Sequence, residues 1–161
     1  MGTVPVAKAA PSGPTDLYWL PEPADWRSLL KGASSAGSRE EAWRLLVAAA
    51  NLRLDMVKTI RLDHDLQAAF GAEPPPRLST KPVRLAVIGS STLGHLLPGV
   101  RVAGLRRGLW ITIYEGDYGQ YLQDLADPDS ALYAFKPTAV LIVLDAFHLL
   151  AGADLSLDEA G

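Results

Sequence analysis

A chain of 161 residues with 15 Lys plus Arg against 18 Asp plus Glu has a formal net charge of −3. That is too little of either sign for attraction to a phosphate backbone to be its main device, and no nucleic-acid partner is expected. With 48% hydrophobic and 20% charged residues it can bury a core, which excludes global disorder and collagen-like structure. No cysteine is present, which removes disulfide scaffolds, thiolate zinc sites and cysteine nucleophiles; the three histidines are His64, His95 and His148.

In chain order, residues 1–15 lack the apolar core of a secretory signal and read as a tail rich in Ala, Pro and Gly. Residues 16–72 read as a helical subdomain. Its first helix, Pro21 to Gly32, sets Trp26, Leu29 and Leu30 on one side and is broken by Gly32 to Gly37 (GASSAG). The second opens on Ser38 and Glu41, spaced as a capping box, and carries Trp43, Leu46, Val47, Ala50 and Leu54 at helical spacing. The third runs from about Asp55 to Phe70 and stops at Gly71. The three consecutive prolines in 73–81 mark a semi-rigid linker.

From residue 82 to 161 the period changes. Val83 to Ile88, Leu109 to Tyr114 and Ala139 to Leu144 are continuously apolar, as strands buried on both faces are. They alternate with a helix from Leu93 to Arg107 and a second from Gln120 to Phe135, broken at Asp127-Pro128-Asp129-Ser130. This pattern predicts an α/β fold: a doubly wound, flavodoxin-like parallel sheet of three strands, in the order second, first, third, behind the helical subdomain. Three strands are few for such a sheet. The expectation is therefore a truncated domain, an excerpt of a longer protein, whose third strand pairs with a second copy in a homo-oligomer or is covered by a strand from elsewhere. The longest apolar run, Thr138 to Leu150, is interrupted by Asp145 and His148 and is too short for a membrane span, so a soluble cytoplasmic protein with no membrane partner is expected.

Ligands in such folds sit beyond the carboxyl ends of the strands. The loops there are Gly89 to Gly94, Glu115 to Gly119 and Asp145 to His148. The first sets Ser90, Ser91 and Thr92 at the start of a predicted helix, where an anion or oxyanion is favoured; simple helix capping is the plainer use of the same hydroxyls. Dinucleotide and P-loop patterns fit poorly: Ser91 stands where the second glycine should be, and no Lys follows. No metal ligand set is read. His95 is expected in a hydrogen-bonded contact on a helix face, and His64, between Asp63 and Asp65, at the surface. Arg101, Arg106 and Arg107 suit the end of a helix, or form a dock for an acidic carrier-protein helix. Trp19, Trp26, Trp43 and Trp110 read as core or subdomain anchors.

The runs 85–98 (LAVIGSSTLGHLLP), 114–121 (YEGDYGQY) and 127–130 (DPDS), with the earlier 54–62 (LDMVKTIRL), resemble the amino-terminal region of FkbH-like proteins, members of the HAD superfamily, subfamily IIIC. The resemblance implies an SGNH-hydrolase-like domain. In such proteins it precedes a haloacid-dehalogenase-type domain, and the whole moves a glyceryl unit from a phosphorylated three-carbon acid to an acyl carrier protein in polyketide biosynthesis. The implied partners are that carrier protein and the remainder of the parent enzyme. The dehalogenase Asp-x-Asp-x-Thr motif and the cysteine of glyceryl transfer are missing from this sequence. No cofactor is therefore expected in this chain, and Mg belongs to the dehalogenase-type domain alone.

Set against the hydrolase pattern, Gly89-Ser90-Ser91 keeps a serine, Ser91, at the nucleophile position of Gly-Asp-Ser and lacks the aspartate. Gly116 or Gly119 could stand for the oxyanion glycine of the second block, whereas Leu144 to Phe147 offers neither the glycine nor the asparagine of the third. Asp145 and His148 spell the Asp-x-x-His of the last block but follow the third strand instead of the last. The expectation is an accessory, non-catalytic domain. The alternative is an active serine hydrolase or acyltransferase using Ser91, His148 and Asp145, with Gly89, Ser90, Thr92, Gly116 and Gly119 as its oxyanion or ligand loop.

Overall fold

A computed structural model of the chain describes residues 17, 19–73, 78 and 80–150. The tail read at 1–15 lies outside the described residues. Three helices come first: α1 (Trp26–Ser34), α2 (Arg39–Ala50) and α3 (Met56–Phe70). Ser38 caps α2 as its spacing predicts, accepting from the Glu41 N–H at 3.1 Å, and the Glu41 carboxylate returns to the Gly37 N–H. Asp55 caps α3 through the Lys58 N–H, and Gly71, at φ +77°, ends it. The first helix differs from expectation: it starts at Trp26 and runs through Gly32 to Ser34. Gly32 does not break it because a Cβ there would lie 3.2 Å from Leu45, so the glycine serves the close approach of α1 to α2.

Among the described residues the sheet has three parallel strands, β1 (Lys81–Gly89), β2 (Leu109–Glu115) and β3 (Ala139–Val143), in the predicted order β2-β1-β3. The central strand begins at Lys81, within the stretch read as linker, and contains Pro82. Lys81 donates toward β2, to Gly108 O, and Arg84 pairs toward β3, through Thr138. Pro82 therefore directs its missing donor to the β3 side, and β3 starts only opposite Leu85. Gly104 of α4 (Leu97–Arg106) rests directly on Ile111, while α5 (Tyr121–Ala126) and α6 (Ala131–Phe135) bring Tyr121 and Leu132 against Ala86 and Ile88. Because side chains alternate along a strand, these are opposite faces, as a doubly wound sheet requires.

One core joins the helices to the sheet. Leu46, Leu62 and Leu66 pack with Val102, Leu105 and Trp110, and Trp43 and Phe70 meet edge to face at 5.5 Å with Trp110 about 6 Å from each. Burying each such Leu contributes roughly 1.5–3 kcal/mol. Two arginines tie the layers: Arg101 of α4 grips the Asp63 carboxylate of α3 with two bonds of 2.7 Å, and Arg106 donates to the Ala50 carbonyl. At the opposite side, β3 and α7 (Ala146–Leu150) leave Val140, Leu141, Ile142, Phe147 and Leu149 exposed. Among the described residues, no helix is long and apolar enough to cross a membrane.

Candidate functional site

The loops after β1, β2 and β3 meet at the carboxyl edge of the sheet, where Ser90 is 2% exposed. Its hydroxyl donates to Asp145 Oδ2 at 3.1 Å and accepts from the Asp145 N–H at 3.0 Å, and its own N–H donates to Val143 O. Asp145 Oδ1 in turn accepts from the His148 N–H at 2.9 Å and lies 2.8 Å from His148 Nδ1. Asp145 thus caps α7 and fixes the imidazole, with Tyr121 and Phe147 set edge to face against the ring. The order is serine, aspartate, histidine, and the serine is Ser90.

Asp145 and His148 are therefore brought together as their spacing suggested, but Ser91 does not join them. Ser91 and Thr92 are exposed, with no side-chain hydrogen bond among the described residues. Neither stands at a helix start. The chain passes through a 3-10 turn, Gly94–Leu96, and α4 begins only at Leu97, where Pro98 fits the first turn. The helix expected from Leu93 is corrected accordingly, and so is the anion site at its N-terminus. His95 lies exposed in the turn with no side-chain hydrogen bond among the described residues, contrary to expectation. The oxyanion donors are also engaged: the Gly116 N–H bonds Val87 O at 2.9 Å and the Gly119 N–H bonds Gly89 O at 3.4 Å. Gly89 itself is pressed against Val143.

The basic patch divides in the same way. Arg101 and Arg106 are committed to Asp63 and Ala50, burial lowers the Arg106 pKa, and only Arg107 of the three is exposed. His64 is a surface residue beside Asp65, as read. Among the described residues no cluster of three or more His, Asp or Glu is placed to hold a metal ion. Sequence reasoning passed over Ser90 as a partner of Asp145. The available signal was alternation: continuing β1 by one residue directs Ser90, like Arg84, toward β3.

The Asp145 carboxyl is held at about 2 by hydrogen bonds from the His148 ring and backbone, with a smaller contribution from Ser90. A carboxyl with a depressed folded pKa stabilises the fold above its unfolded value, near 3.8, and loses that contribution as pH falls through about 2. Asp145→Asn should thus be less stable than the parent at pH 5, and the gap should narrow as pH falls from about 4 to 2. Urea midpoints measured across this range check it; a gap independent of pH would refute the assignment.

The fold and the loops together define a doubly wound α/β domain with a serine-bearing loop after its central strand. Residues 84–156, somewhat under half of the chain, match the family described as FkbH, N-terminal domain. The stretch 54–62, part of the resemblance, lies outside the match. The chain is also similar to a solved structure, the crystal structure of the N-terminal part of the protein BF1531 from Bacteroides fragilis containing phosphatase domain complexed with Mg. Identity is 21% and the TM-score 0.43; the similarity covers 67% of this chain and 23% of that one, so this chain spans less than a quarter of its length. No curated protein matches the chain.

Proposed function

We propose that this chain is an accessory, non-catalytic SGNH-like domain of an FkbH-like enzyme that transfers a glyceryl unit to an acyl carrier protein in the cytoplasm during polyketide biosynthesis. The observation that carries the non-catalytic role is the interposed carboxylate: Asp145 bonds Ser90 on one side and His148 on the other, so the imidazole does not touch the serine hydroxyl. A serine nucleophile needs its base within roughly 2.6–3.2 Å. The loop N–H groups bonded to protein carbonyls add to this, since each missing oxyanion donor costs on the order of 3 kcal/mol in the transition state. The match of residues 84–156 to the FkbH N-terminal domain family supports the parentage.

One observation favours the second reading, a serine hydrolase or acyltransferase using Ser91. Asp145 Oδ1 lies 2.8 Å from His148 Nδ1 and orients the ring, as the acid of a catalytic triad orients its base. A fluorophosphonate probe separates the two. We expect no labelling of Ser91 and an unchanged thermal midpoint in Ser91→Ala; stoichiometric labelling that disappears in both Ser91→Ala and His148→Ala would establish the hydrolase.

A further inference from the structure

Helix α1 packs closely on α2 and touches α3 less extensively. The groove this opens has two parts, of about 680 and 490 Å³, that share Leu30, Ser34 and Asp65. Trp26, Leu30 and Ser34 recur every four residues along α1, as do Val57, Arg61, Asp65 and Ala69 along α3. Both walls are therefore helix ridges, and the open groove they border is one along which a third helix can lie. Val57, on the rim, is 77% exposed.

The charge of the walls is one-sided. Among the described residues they carry Arg27, Lys31, Arg39 and Arg61 against one acid, Asp65, in a chain whose net charge is −3. Asp65 is already met by Arg61 at 3.1 Å and by His64. Arg27 and Lys31 are exposed on successive turns of α1, without an ion pair among the described residues. Apolar walls flanked by cations that make no ion pair among the described residues select a partner with the complementary pattern. We propose that this groove docks an acidic amphipathic helix of a partner protein, its apolar stripe against Leu30 and Val57 and its carboxylates toward Arg27 and Lys31. The proposal is independent of the serine loop, and it does not use the patch at Arg101, Arg106 and Arg107.

The test uses the full chain and a fluorescein-labelled helical peptide of about 16 residues, with Leu on one face and Glu on the other, beside a twin in which Lys replaces Glu. Anisotropy should show saturable binding of the Glu peptide that weakens as salt rises. Affinity should fall by about tenfold or more for the Lys peptide, for Arg27→Glu with Lys31→Glu, and for Ser34→Trp, which fills the shared part of the groove. Far-UV dichroism of both variants should match the parent. No binding of the Glu peptide, equal binding of both peptides, or undiminished binding by either variant overturns the proposal. So does a dimer in sedimentation that both variants dissociate, since the occupant would then be a second copy.

Discussion

Asp63→Ala should cost about 3 kcal/mol of stability, the low end of what removing one partner from a buried ion pair costs. Asp63 is 5% exposed and is held in a two-bond fork by Arg101, whose side chain keeps 21% of its surface accessible. Deleting the carboxylate leaves a guanidinium between α3 and α4 with partial access to water, so the penalty stays at the low end. The pair need not be a net stabiliser, because desolvating both ions offsets much of their attraction. Asp63→Leu combined with Arg101→Met should therefore recover most of the loss, placing apolar volume among Leu66, Leu105 and Trp110. Urea titrations of the single and double variants decide it. A single variant within about 1 kcal/mol of the parent, or a double variant no better than the single, would show that the fork is not what ties the layers.

That fork marks where the sequence stops being legible. Strands, caps and sheet order follow from local rules: continuous apolar runs, Ser38 and Asp55 before apolar periods, Gly71 after one. Asp63 and Arg101 are 38 residues apart on separate helices, and nothing local distinguishes them from surface charges. For Arg106 the sequence offers only a cation at a helix end or in a carrier-protein dock, and its reach to Ala50 depends on how α4 lies on α2. The start of α4 is hidden because Leu93 and Leu96 continue the apolar pattern, while the first turn itself is marked by Pro98. At the site, Asp145 and His148 are neighbours in sequence and their pairing was visible; the choice between Ser90 and Ser91 is a matter of which way a strand end faces.

The same strand end makes the largest prediction at the site. Gly89 is not among the glycines with positive φ, so its requirement is space and not conformation. A Cβ there would stand 2.2 Å from the Val143 carbonyl oxygen and 3.1 Å from its carbon. Those atoms are backbone and cannot rotate aside, so Gly89→Ala must push β3 away from β1. The shift strains the Ser90 N–H bond to Val143 and the paired bonds between Ser90 and Asp145. We expect a loss of about 3 kcal/mol or more, the upper range for overpacking a tight site. Amide exchange should accelerate more in 140–150 than in α1 to α3, whose core lies beyond the opposite edge of β1. Gly94→Ala is the control: its Cβ would meet the Glu115 carboxylate at 3.3 Å, a side chain free to move, and the cost should stay below about 1 kcal/mol. Equal stability of the two variants would mean that β3 is not clamped at Gly89, and would remove the structural reason for a glycine ahead of the two serines.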